Sequence, residues 1–363
     1  MRLLNLLFFC LLSIAGIAQS SRNWGIEARM KGGFLIAHRV VMGHLAQEHP
    51  FAAELSYVYR TNGEKKWHQH YKYPEISANL YYGSVGNTRL LGNFVGAYGM
   101  ISFPFVASEK FRLHGKLGAG IGYTPKHYDE VINPKNVAIS SRLNALIVLG
   151  LDAKFYFQKN WITLGVDLTH FSNGGAKVPN LGLNLPYLSL GYGRFIRKSD
   201  AYSDRNEQPI VPQRQFLFGA TAIASIKEMF PTNEKPYGVY GLSLNSRIFL
   251  KPKMGWELSF DIISKQAIFG YRPDVQKTQW SILQMGVFAG YLLPLNQFHF
   301  VLGMGAYVKD MYDPDGKLYH RVGFRYYLKN GINLNCVLKA HWGKADYVEW
   351  GIGYSFFNLK KAK

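Results

Sequence analysis

The chain has 363 residues and a formal charge of +19, with 15% aromatic residues, 37 glycines and two cysteines. That length fits one large domain or two smaller ones, and two cysteines, one of them in an N-terminal leader, exclude a disulfide framework. After the leader no stretch stays apolar for the roughly 20 residues that a membrane helix requires, so helical spans are excluded as well.

In chain order, residues 1–20, "MRLLNLLFFCLLSIAGIAQS", come first. They combine Arg2, an apolar run and small residues before a cut near Gln19 or Ser20, the pattern of a secretory signal peptide. Cys10 lies inside the apolar run, too early for a lipoprotein attachment site, so the exported chain keeps only Cys336. Residues 21–197 then alternate apolar and polar side chains. In 53–59, Ala53, Leu55, Tyr57 and Tyr59 share one face, with Val58 the single mismatch on the other. In 111–123, Phe111, Leu113, Leu117, Ala119, Ile121 and Tyr123 oppose Arg112, His114, Lys116 and three glycines. A soluble sandwich would not bury that second face, whereas a membrane barrel turns one face to lipid and the other to its lumen. The same pattern recurs in 254–262, where Glu257 and Asp261 point to the lumen.

These segments predict an all-β, antiparallel transmembrane barrel of the outer-membrane type. Eight strands fall near 24–35, 51–60, 76–83, 93–105, 110–124, 142–157, 161–171 and 185–197. Eight more fall near 215–226, 236–250, 254–264, 279–293, 297–309, 317–328, 332–342 and 346–357. Connections after even strands are mostly short and those after odd strands mostly long, as expected of periplasmic turns and outer loops. "TNGEKKWHQHYKYPE" after the second strand is the exception. Residues 198–214 form a polar linker too long for a periplasmic turn, and 215–363 read as a second, degenerate barrel repeat. Three pairs of segments carry the internal similarity: "FRLHGKLGAGIGY" with "FHFVLGMGAYV", "AAELSY" with "GWELSF", and "LGLDAKFYFQKNWITLGVDLTHF" with "RVGFRYYLKNGINLNCVLKAHW". Tandem duplication of an eight-stranded unit fits them, as does shared barrel patterning. Two small barrels in series are favoured over one of about sixteen strands.

Between the seventh and eighth strands lies "HFSNGGAKVPNLGLN", residues 170–184. The seventh strand puts Ile162, Leu164, Val166 and Leu168 on the lipid face, and by parity His170 and Ser172 follow them. The eighth puts Leu188, Leu190, Tyr192 and, if extended that early, Asn184 on the same side. Polar groups facing lipid near the outer leaflet are costly unless they function there.

The spacing of His170, Ser172, Asn173, Gly175, Lys177, Pro179, Asn180, Gly182 and position 184 resembles the active-site segment of the lipid A 3-O-deacylases, also grouped with acyloxyacyl hydrolases. The resemblance covers about 15 residues closely and the first eight strands in pattern. It implies an eight-stranded outer-membrane barrel whose outer wall carries a Ser, His and Glu that cut an ester-linked acyl chain from lipid A of lipopolysaccharide, without a cofactor. Carried over by position, Ser172 is the nucleophile and His170 the general base, and Asn173, Asn180 or loop backbone N–H groups stabilise the oxyanion. The departure is Asn184, where the family has Glu. An amide can fix the imidazole tautomer but cannot offset its charge, which implies a slow enzyme or a lapsed one. Asp167 is near in sequence but its parity is luminal.

Other candidates have plainer readings. His341 and Glu349 resemble an acid–base pair, but His341 shares a face with Asn333, Asn335 and Lys339, which makes a luminal network the better reading. His68 and His70 lack a third metal ligand, so no metal is expected. Trp24, Trp161, Trp280 and Trp342 stand at strand ends as interfacial anchors. The charge of +19, +18 without Arg2, would suit nucleic acid, but export argues against that partner; basic loops such as "EKKWHQHYK" suit the phosphates of lipopolysaccharide instead. The alternative function is a non-catalytic barrel, either a lipopolysaccharide-binding relative or a pore. One wide barrel with an open lumen favours the pore, two filled barrels the enzyme. Homodimerisation is left open. Cell fractionation is expected to recover the protein with the outer membrane in a heat-modifiable form, and recovery as a soluble periplasmic protein would contradict the barrel.

Overall fold

The computed structural model describes residues 23–197, 214–232, 235–312 and 316–361. The expected signal peptide and residues 198–213 of the expected linker lie outside them. In the first half, β1 (Trp24–Gly33), β2 (Phe51–Arg60), β3 (Glu75–Ser84), β4 (Asn93–Ala107), β5 (Phe111–Tyr123), β6 (Leu143–Phe157), β7 (Asn160–Ser172) and β8 (Leu183–Arg197) pair in sequence order, and β8 closes on β1. In the second, β9 (Arg214–Lys227), β10 (Tyr237–Lys251), β11 (Met254–Lys265), β12 (Leu283–Leu295), β13 (Phe298–Lys309), β14 (Leu318–Tyr327), β15 (Ile332–His341) and β16 (Lys344–Lys361) do the same, with β16 closing on β9. Two closed eight-stranded barrels replace the alternative of one wide barrel.

Each sheet closes on itself through antiparallel pairs of consecutive strands, β8 meeting β1 and β16 meeting β9. Along β7, Ile162, Leu164, Val166 and Leu168 are exposed on the wall while Thr163, Asp167 and Thr169 are buried inside. The first lumen is packed with ion pairs. Arg29 reaches Glu27 at 2.8 Å and Asp152 at 2.9 Å, and Lys116 joins Asp152 at 2.8 Å to Asp167 at 3.0 Å. Lys31 joins Asp167 at 2.8 Å to Glu54 at 3.1 Å, and Lys154 meets Glu75 at 2.6 Å. An apolar cluster that includes Met42, Leu45, Leu91, Phe94, Phe171 and Leu183 plugs the loop end, and Val58, Trp161 and Phe195 plug the turn end. The second lumen repeats the plan, with Arg321 bridging Asp261 at 2.6 Å and Glu349 at 2.7 Å, and Lys265 on Asp346 at 2.9 Å. Both lumens are filled with side chains.

Several local expectations need correction. Trp161 is not an interfacial anchor: it is 1% exposed and donates from Nε1 to Glu27 Oε2 at 3.0 Å, because its parity on β7 is luminal. Trp280 and Trp342 are exposed. Residues 279–282 form a one-turn helix, Gln279–Ile282, capped by the Thr278 side chain, so β12 starts four residues later than expected. The long connection after β2 does not disturb the register. It folds around a one-turn helix, Lys66–His70, and Tyr71 Oη donates to Pro294 O of the second barrel at 2.8 Å. Burial, with Lys65 adding to it, pushes the His68 imidazole down to about 4, so it is neutral at pH 7. Among the described residues no His, Cys, Asp and Glu cluster could hold a metal ion. Of the three similar segment pairs, two occupy the same ordinal strands in both barrels, β5 with β13 and β6–β7 with β14–β15. The third matches β2 to β11, the third strand of its barrel.

The ion pairs are buried, so removing one partner strands the others in a medium of low polarity. Asp152→Leu, which takes a carboxylate from both Arg29 and Lys116, is expected to cost about 3–5 kcal/mol. A lower urea midpoint for the heat-modifiable form would register the loss, whereas Leu188→Ile on the exposed wall should leave the midpoint where it is.

Candidate active site

The register of β7 assembles the site. Phe171 points inward, 0% exposed, and packs at 4.5 Å from the Phe94 ring and 5.7 Å from that of Tyr81. Anchored there, it forces His170 and Ser172, one residue to either side, onto the outer wall. Across the hairpin His170 pairs with Asn184, so the two side chains leave adjacent strands on the same face. No bulge interrupts this pairing.

The side chains form a continuous chain of hydrogen bonds. His170 Nδ1 lies 2.7 Å from Asn184 Oδ1, and His170 Nε2 lies 3.0 Å from Ser172 Oγ. An amide oxygen only accepts, so Nδ1 carries the proton and Nε2 presents its lone pair to the serine hydroxyl. That is the tautomer in which an imidazole can take a proton from Ser172 as the hydroxyl attacks a carbonyl carbon. Asn184 Nδ2 in turn donates to His38 Nδ1 at 3.2 Å. A flipped amide would set Nδ2 against the protonated Nδ1 of His170, and the orientation seen gives each end of the amide a partner.

His38 was not legible as a site residue. It reaches Asn184 because the chain after β1 keeps pairing with β8, through Phe34 N to Pro186 O at 3.3 Å and Ile36 N to Asn184 O at 2.9 Å. The only sequence signal was that the predicted first strand ran on to residue 35. Gly182 is a second structural requirement, with φ of +74° and an added Cβ falling 2.9 Å from His170 Cε1. The ring therefore lies against bare backbone, which only glycine supplies in that conformation.

The two asparagines divide their work. Asn173 Nδ2 donates to Ser140 Oγ at 2.9 Å and Lys177 O at 3.0 Å, while its Oδ1 accepts from Gly175 N at 3.0 Å. Both amide hydrogens are engaged in holding the loop, which leaves Asn173 without one to offer an oxyanion. Asn180 is tethered differently, through Oδ1, which accepts from Asn173 N at 3.1 Å. Asp167 stays in the lumen between Lys31 and Lys116. His341 is buried in the second lumen, with Nε2 3.1 Å from Tyr307 Oη, and Glu349 belongs to Arg321, so these two do not form an acid–base pair.

One pleat below His170 and Asn184, toward the middle of the wall, an open groove of about 490 Å³ runs between the strands. Phe34, Leu149, Val166, Leu168, Pro186 and Leu188 line it, and Gly32 and Gly33 on β1 leave room for it. Its lining is almost wholly apolar. If the His38 contact holds the Asn184 amide, His38→Ala should lower hydrolysis of an ester substrate by roughly three- to tenfold, a loss of about 1 kcal/mol of positioning. An unchanged rate would show that Asn184 keeps its orientation without His38.

Residues 51–193 match the family model described as Lipid A 3-O-deacylase (PagL), and residues 215–359 match the one described as Acyloxyacyl hydrolase, C-terminal domain. Among curated proteins none matches. Of the solved structures, Neisserial surface protein A (NspA) aligns at 12% identity over 47% of this chain and 96% of its own, with a TM-score of 0.30. The NanC porin aligns at 6% identity over 91% and 99%, with a TM-score of 0.17. A mutant of the Rh. blastica porin aligns at 7% over 92% and 99%, with a TM-score of 0.19.

Proposed function

The chain belongs to the lipid A 3-O-deacylase family of the outer membrane, and from that premise we propose that it is a serine esterase that removes an ester-linked acyl chain from lipid A. The observation that supports this most is the Ser172–His170–Asn184 hydrogen-bonded chain on the outer wall, directly above an apolar groove. A membrane lipid meets an outward-facing site without leaving the bilayer.

In this reading the acyl chain lies in the groove and presents its ester carbonyl at Ser172. Ser172 Oγ attacks the carbonyl carbon as His170 Nε2 takes its proton. The carbonyl electrons move to oxygen, where Asn180 Nδ2 and loop backbone N–H groups offset the charge. Collapse breaks the ester bond, and the departing lipid A alkoxide takes the proton from His170. Water, deprotonated by His170 in its turn, then attacks the acyl carbon, and as the acyl–oxygen bond breaks Ser172 Oγ takes the proton back from His170 and the fatty acid is released. Asn184 keeps the imidazole in register but supplies no negative charge to the imidazolium, which makes the reaction slow for its family.

Filled lumens count against a pore. The remaining alternative is a barrel that binds lipopolysaccharide without cutting it, and the absence of a carboxylate at position 184 is what favours it. Rates on purified lipid A in one detergent separate the two. Ser172→Ala and His170→Ala should abolish deacylation and leave heat-modifiability intact. Asn184→Glu should raise the rate about tenfold, equivalent to roughly 1.4 kcal/mol off the barrier, and Asn184→Leu should lower it. A Ser172→Ala protein as fast as the wild type would refute the assignment.

A further inference from the structure

The loop that carries Asn173 and Asn180 leaves the first barrel but is gripped by the second. Val178 N donates to Glu228 Oε2 at 2.8 Å, and Glu228 N donates to Ala176 O at 3.2 Å. Glu228, the first residue after β9, thus holds the loop by a donor and an acceptor two residues apart, and it is only 4% exposed. Nearer Ser172, the loop rests directly on the wall of the second barrel. A Cβ added to Gly174 would fall 2.5 Å from Val348 Cγ2, and one added to Gly175 would fall 2.6 Å from Asp346 O. Both glycines have positive φ, +68° and +84°, so the approach uses a backbone path that other residues rarely take. Val348 and Leu338 are cross-strand partners on the outward face of β15 and β16. They are half-buried, whereas Leu334 and Trp350 on the same face are 48% and 59% exposed. The site loop covers wall that lipid would otherwise wet.

The anchor behind this contact is rigid. Asp346 is held inside the second barrel by Lys265 at 2.9 Å and by Lys227, the residue just before Glu228. A second tie joins the β9–β10 and β5–β6 loops, Thr232 to Glu130. The grip at 176 and 178 falls between Asn173 and Asn180, whose own bond, Asn173 N to Asn180 Oδ1, closes the loop over Ser172.

We propose that the second barrel is an external clamp for the esterase site and that Glu228 is its positioning residue, holding the loop so that Asn180 and the loop N–H groups face the reacting carbonyl. Glu228 touches neither Ser172 nor His170 and takes no part in proton transfer. The inference rests on the esterase reading for its effect on rate, but not for its effect on the loop.

The test compares Glu228→Ala and Glu228→Gln in the full chain, with assembly checked by heat-modified migration. A glutamine Oε1 still accepts from Val178 N; alanine does not. Two measurements are made on each protein: deacylation of purified lipid A, and the order of the loop, read by amide deuterium exchange over 173–182 and by trypsin cleavage after the exposed Lys177. Glu228→Ala is expected to speed exchange and cleavage several-fold and to lower kcat about tenfold with little change in KM. Glu228→Gln should stay within about twofold of the wild type in both. Should the alanine protein fail to assemble, Glu228→Asp, one methylene short of Val178, takes its place with the same expectation. If the wild type does not cut lipid A while the alanine protein still loosens the loop, the esterase reading falls and the clamp stands. Loop protection unchanged in Glu228→Ala would overturn the clamp, and so would a loosened loop with an unaltered rate.

Discussion

Hydrocarbon offers a peptide group no hydrogen-bond partner, and everything else in this molecule depends on that constraint. Each strand must pair on both edges, so β8 returns to β1 and β16 to β9. Once the sheets are closed, every side chain has one of two destinations, lipid or lumen, and a shift of one residue would exchange them. The position of His170, Ser172 and Asn184 on the outer wall is a consequence of that parity, enforced by Phe171 pointing the other way.

The two destinations carry different duties. Inside, charges of opposite sign interlock at 2.6–3.5 Å and apolar plugs close both ends of the first barrel, so the lumen is a core and not a passage. Outside, the wall is largely apolar, and at the loop end of β7 and β8 it carries His170, Ser172 and Asn184. Stability is concentrated in the interior and polar chemistry on the surface, which lets the site vary without unpacking the barrel. A serine, an imidazole and an amide at a strand end bear little of the fold, so a substitution at position 184 leaves the hairpin as it is.

The second barrel changes what the site is made of. It repeats the closed eight-stranded plan and the buried ion pairs, but its nearest analogue of His170, His341, is turned inward onto Tyr307. Its connection with the site runs through contact between walls and loops, at Glu228, Asp346 and Val348, and not through a duplicate set of reacting groups. The second barrel supplies a surface on which the loop of residues 173–178 rests.

Much of this was legible in the sequence. Alternation alone located all sixteen strands, because a side chain in a membrane barrel has only lipid or lumen to face and the period of two records the choice at each residue. The same parity put His170, Ser172 and Asn184 on one face and Asp167 on the other, and the pairing of β7 with β8 has them there. Four things were decided only by the tertiary structure: that the sheet closes twice, that Trp161 fills the lumen instead of anchoring the interface, that His38 steadies Asn184, and that Glu228 reaches the loop of the other barrel. Closure depends on which strand meets β1, and the contacts of His38 and Glu228 join residues 146 and 50 positions apart. A local period reports the direction a side chain takes from its own strand, but not which distant group stands there to meet it.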